Sequence, residues 1–184
     1  MSVQIIIDSA ANVSDIIRKR LITIPMTVSF GDEEYIDGIT IDHRSFYEKL
    51  EQSDVLPTTS QITPVAYEEC FKKVVEAGDT AVVLTLSSKF SGTYQSAMIA
   101  AEDYAGKIYV VDTLAATLSI GVMAEQALRL VDQGMNAAEI AKQMEVQRDR
   151  VCLVADSAET KITTKKQKAQ LHQQSPHQKQ RILW

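Results

Sequence analysis

The stretch LTLSSKFSGTYQSA, residues 84–97, ends an apolar run, gives five of the seven positions 87–93 to Ser, Gly or Lys, and then resumes a helical spacing. With TAVVLTL (80–86) it reads as a buried strand, a turn and a helix, the unit from which α/β folds are wound. The turn carries four small hydroxyls, Ser87, Ser88, Ser91 and Thr93. Ser and Thr cap helices, so a strand-to-helix turn collects them without any function; one cap, however, needs one hydroxyl.

On either side of this unit the same grammar repeats. VQIIID (3–8) and KIYVV (107–111) are continuous apolar runs without polar alternation, as expected of parallel strands covered on both faces. LITIPMTVSFG (21–31) reads as a further strand in which Pro25 marks an edge position or a bend. Helices are expected over 43–52 after Asp42, from Thr63-Pro64 to Gly78, over 93–105, over 114–133, and from Asn136 to about Arg148, where Glu139 completes a capping pattern. Strand and helix alternate, which predicts an α/β fold: a doubly wound, mostly parallel sheet with helices on both faces. Apolar strand, Asp, then a hydroxyl residue recurs at IIIDSAAN (5–12), YVVDTLAAT (109–117) and CLVADSAET (152–160). A capping preference explains the recurrence as well as an internal repeat does, and either puts Asp8 and Asp112 at the C-terminal edge of the sheet, where open α/β folds bind ligands.

Composition bounds the function. A chain of 184 residues with 45% hydrophobic content supports one domain with a core, plus an appendage. Cys70 and Cys152 lie in apolar runs, which points to inert thiols in a reduced, cytoplasmic protein; no apolar stretch reaches the roughly 20 residues of a membrane span. Residues 157–184 hold five Lys and one Arg against one Glu, a net +5, so residues 1–156 carry −10 and make a poor nucleic-acid surface. This basic, Gln-rich tail (157–184) has no sustained periodicity, and disorder is expected there.

Several chemistries lack their parts. There is no G-x-S-x-G elbow, and His43 is far along the chain from Ser91, so a Ser/His triad is not expected. Neither a Walker loop nor a G-x-G-x-x-G fingerprint occurs, and isolated His43, Cys70 and Cys152 give no metal-ligand spacing, so no metal or cofactor is expected. Binding remains. A helix start offers unpaired N–H groups and partial positive charge, which neighbouring hydroxyls extend with neutral donors suited to a carboxylate or phosphate. LPTTSQITP (56–64) supplies a second set, Thr58, Thr59, Ser60 and Thr63, ahead of another helix. If both turns lie at one sheet edge, their hydroxyls cradle the head of an acyl chain whose tail rests on apolar faces; a small-anion or phosphate-binding regulatory module is the alternative.

Taken together, DSAANVSDIIRKRLITIPMTVSFGDEEYIDG, PTTSQITP and LSSKFSGTYQSA resemble the DegV family of bacterial fatty-acid-binding proteins, over about residues 3–156. The resemblance implies a carrier without catalytic activity that buries a long-chain fatty acid such as palmitate and presents its carboxylate to a partner fatty acid kinase. It implies Thr59, with Thr58 beside it, and Ser91 as the carboxylate-holding residues, and Ser60, Ser88, Gly92 and Thr93 as their companions in the ligand site. Ile62 stands where the family pattern T-S-Q-P has proline. The resemblance also implies a second lobe after residue 156, whose absence leads us to expect a truncated product, with apolar surface exposed and covered in a homodimer.

Overall fold

In the computed structural model, which describes residues 2–151, β1 (Val3–Asp8) leads through a four-residue helix α1 (Asp15–Arg18) to β2 (Ile22–Ile24). Next come β3 (Thr27–Phe30), β4 (Glu33–Ile36), α2 (His43–Gln52) and β5 (Thr58–Ser60). The remainder alternates as α3 (Pro64–Glu76), β6 (Thr80–Thr85), α4 (Thr93–Ala101), β7 (Ile108–Asp112), α5 (Leu118–Asp132) and α6 (Ala137–Arg148). The described chain divides into two compact units, one of residues 2–26 and 61–151, the other of residues 27–60. Cys152, Asp156 and the tail 157–184 lie outside the described residues.

The first unit is built on a four-stranded parallel sheet in the order β2-β1-β6-β7, with Ile6 beside both Ile22 and Val83, and Val83 beside Val110. Consecutive residues Ile5, Ile6 and Ile7, and Ala81 through Leu84, are buried, so both faces of the central strands are covered. That is why these segments read as unbroken apolar runs. Helices α3 and α4 pack on each other, as do α5 and α6, and both pairs lie against the sheet. Each aliphatic side chain sealed between these layers contributes about 1.5–3 kcal/mol. Helix ends follow the sequence: Thr63 Oγ1 accepts the Ala66 N–H at 3.3 Å ahead of Pro64, and Gly78 takes φ +80° just past α3. At α6 the Asn136 side chain and the Glu139 carboxylate exchange backbone N–H bonds, both at 3.0 Å.

Three expected elements are corrected. The run 21–31 is two strands, not one. Pro25 has no N–H to give a ladder, and the Met26 N–H turns to Ser9 Oγ at 3.0 Å, so the chain leaves the parallel sheet after its edge strand β2. Helix α5 begins at Leu118 rather than 114. Asp112 Oδ1 and Thr113 Oγ1 accept the Leu114 and Ala115 N–H groups at 3.1 and 3.2 Å, an alternative to helical bonding, and Thr117 sits at φ 48°. The helix over 93–105 ends at Ala101 and tightens into a 3-10 turn, Glu102–Tyr104.

The second unit holds a three-stranded antiparallel sheet in the order β4-β3-β5, which the parallel reading did not include. Val28 pairs with Tyr35 on one side and Thr59 on the other. Its small core is Val28, Phe30 and Ile41, with Tyr35, Phe46 and Leu50 packed against them. Lys49 lies 5.6 Å from the Phe30 ring centroid and 5.2 Å from that of Tyr35 while bonding Glu33 at 2.8 Å, so one side chain ties α2 to the β3–β4 hairpin.

Candidate ligand-binding site

Strand order sets where a site can form. From β1 the chain passes to β2 on one flank, and from β6 to β7 on the other, so the carboxyl ends of β1 and β6 face the point where the connections diverge. In open α/β sheets this is where ligands bind. The turn Leu86–Gly92, between β6 and α4, stands there.

Two carboxylates clamp that turn from the strands on either side. Asp8, the last residue of β1, accepts the Leu86 N–H through Oδ2 at 2.5 Å, and Asp112, the last of β7, accepts the Ser88 N–H through Oδ1 at 3.1 Å. Between them the Ser87 N–H donates to the Ala115 carbonyl at 3.0 Å. The strand-end aspartates Asp8 and Asp112 are thus latches that fix the turn. Asp8 is fully buried, and desolvation pushes its pKa up to about 6 against the opposing pull of the Leu86 and Ala10 N–H groups. Its second oxygen, Oδ1, and the buried Tyr67 hydroxyl have no hydrogen-bond partner among the described residues. Burial, and after it the Asp8 charge, push the Tyr67 phenol well above its usual range.

The four hydroxyls divide the labour within the turn. Buried Ser87 accepts the Lys89 N–H at 3.2 Å and its carbonyl takes the Phe90 and Ser91 N–H groups. Ser88 and Lys89 are exposed. Ser91, half-buried, accepts the Thr93 N–H at 3.2 Å and lies 2.9 Å from Thr93 Oγ1, which in turn accepts the Ile62 N–H at 3.3 Å. The N-cap of α4 is Gly92, which has no side chain with which to cap. A Cβ there would overlap the Gln61 side-chain amide, whose nitrogen donates to Ser96 Oγ at 3.4 Å. Gln61 therefore lies over the start of α4, a residue not counted among the candidates above, although its place in T-S-Q marked it.

Ser88, Ser91, Gly92 and Thr93 are thus gathered in one turn at the sheet's C-terminal edge. Thr58, Thr59 and Ser60 belong to the other unit, and there the expectation of a second turn is corrected. They form β5, an exposed edge strand paired to Ser29, Val28 and Thr27, because a run of β-branched and hydroxyl residues suits a ladder. Thr63 caps α3. Elsewhere, the His43 ring packs tilted against Tyr47 with ring centroids 4.8 Å apart, and half-buried Cys70 is a free thiol whose pKa burial raises. Among the described residues no cluster of three or more His, Cys, Asp or Glu could hold a metal, and no helix is long and apolar enough to cross a membrane.

A DegV domain-containing protein of Clostridium perfringens is 37% identical over 145 residues, which is 77% of this chain and 52% of that relative. Among solved structures, one described as fatty acid binding of a DegV family protein from Thermus thermophilus has a TM-score of 0.73 at 29% identity, covering 81% of this chain and 54% of that one. Another, described as DegV, a fatty acid binding protein from Bacillus subtilis, gives the same score, identity and coverage. The chain spans about half the length of the relatives it matches. The family model described as "Uncharacterised protein, DegV family" matches residues 2–155, and with the parallel sheet and its flanking helices in common with those structures, the chain belongs to the DegV family.

Proposed function

We propose that this chain binds the carboxylate of a long-chain, palmitate-like fatty acid at the β6–α4 turn and acts as a carrier rather than a catalyst. The observation that supports it most is the half-buried Ser91 at an α4 start whose N-cap, Gly92, offers no side chain, in a family with members described as fatty acid binding proteins. Ser91 is the donor within this turn. Neutral donors beside a helix N-terminus hold an anion without the desolvation cost of a buried Lys or Arg. Apolar Leu114 and Leu118, 37% and 65% exposed at the same sheet end, are candidates for the wall against which the tail lies. Each buried CH₂ contributes roughly 0.8 kcal/mol. The carrier reading extends to a cytoplasmic partner kinase that receives the presented carboxylate.

Titration of the purified chain with hexadecanoate tests this. Ser91→Ala is expected to weaken binding roughly tenfold to a hundredfold through loss of one charge-assisted hydrogen bond, with the fold intact by circular dichroism. Unchanged affinity contradicts the assignment. Binding of inorganic phosphate without hexadecanoate favours a small-anion module instead, the reading that the uncapped helix start supports independently of any tail.

A further inference from the structure

The Ser91 and Thr93 oxygens are 2.9 Å apart, close enough for either to donate to the other. The surroundings decide the direction. Thr93 is fully buried, its Oγ1 already accepts the Ile62 N–H, and among the described residues Ser91 Oγ is the acceptor its own proton meets. Were Ser91 the donor, the Thr93 proton would be buried without an acceptor, and an unmade bond of that kind costs more than a made one contributes. Ser91 is half-buried, so its proton can be met from outside the turn.

We infer that Thr93 is a positioning residue: it donates to Ser91, and with the Thr93 N–H at 3.2 Å it fills both lone pairs of the Ser91 oxygen, leaving that hydroxyl able only to donate. The polarity runs from the Ile62 N–H through Thr93 to Ser91, and position 62 contributes because it carries an N–H, which a proline would lack. The inference rests on the proposed role of Ser91 and sharpens its specificity. A donor-only hydroxyl suits a group that only accepts. It favours an ionised carboxylate, accommodates an alcohol less well, and rejects an alkylammonium, which has no lone pair to offer.

The test is the ratio of affinities for dodecanoate and dodecan-1-ol, measured by calorimetry on the wild type, Thr93→Val and Thr93→Ser. Thr93→Val is expected to lower the acid-to-alcohol ratio about tenfold while the affinity for the alcohol changes little, and Thr93→Ser to keep the wild-type ratio. A ratio unchanged in Thr93→Val, or equal losses for both ligands, overturns the inference. The wild type gives a second reading that needs no variant. Hydroxyl-proton NMR should show a slowly exchanging Thr93 proton and a rapidly exchanging Ser91 proton, and the reverse pattern overturns the inference even if Thr93→Val fails to fold. A wild type that binds neither lipid ends the functional proposal, while the hydroxyl exchange still decides the direction of the bond.

Discussion

Asp8 is a buried carboxyl group whose chemistry departs from its behaviour in water. Its folded pKa of about 6 lies above the ordinary aspartate value of 3.8, so between those values the native state holds a proton that the unfolded chain has lost. Stability from this group is full below about pH 4 and is lost as pH rises through about 6, by about 3 kcal/mol for a shift of this size. Asp8→Asn keeps an oxygen for the Leu86 N–H but cannot titrate. Urea unfolding at pH 4 and pH 7 should therefore show the variant gaining on the wild type by up to about that amount at the higher pH. Parallel pH dependence in the two proteins contradicts the burial account. Two glycines make a contrasting pair. A Cβ on Gly121 would overlap the carbonyl oxygen of Asn12, part of the backbone, whereas one on Gly92 would overlap the movable end of Gln61. Gly121→Ala should cost about 1–3 kcal/mol in thermal unfolding, and Gly92→Ala less than about 1 kcal/mol. That Ser87, Ser88, Ser91 and Thr93 share one strand-to-helix turn was legible in the sequence, because an apolar run ends just before them and a helical spacing follows. Their division into holders of the turn and a half-exposed donor was not, since it depends on Asp112, Ala115 and Ile62, which the chain brings in from at least 24 residues away.

Among the elements, those bounded by local signals were read closely. Helix α6 begins where Asn136 and Glu139 said it would, and Asn136→Ala should lower stability by about 1 kcal/mol, seen as a lower midpoint in urea. Helix α3 likewise starts at Pro64 behind its Thr63 cap and stops short of Gly78. The misread elements are those where a side chain diverts a backbone group. Pro25 was recognised as a bend or an edge, yet the hydroxyl that takes the Met26 N–H is Ser9, sixteen residues before Pro25. Without it, 22–24 and 27–30 look like one strand. Helix α5 starts late because Asp112 and Thr113 capture the next two N–H groups, a local effect hidden by the apolar spacing that runs through Leu114 and Leu118. β4 and β5 were invisible to a search for apolar runs, since EEYI and TTS are almost entirely exposed.

At the scale of the molecule, the buried parallel sheet is what unbroken apolar strands demanded, and its strand order puts the Ser91 turn at the divergence of β1 and β6. The second, antiparallel unit had no such signature because its core is small. Leu118 and Val122, one turn apart on α5, are 65% and 61% exposed, an apolar stripe on a surface helix. If that stripe seats a second copy of the chain, sedimentation should show a dimer that Leu118→Glu converts to monomer; an unchanged sedimentation coefficient would exclude this face. On the proposed function, an acyl carboxylate is gripped by neutral hydroxyls at the β6–α4 turn. Titration of isotope-labelled protein with hexadecanoate, followed by amide NMR, tests it most directly. The largest saturable shifts are expected on residues 91–93, with Ser91→Ala abolishing them. Saturable shifts confined to other parts of the chain, or no binding at all, would contradict it.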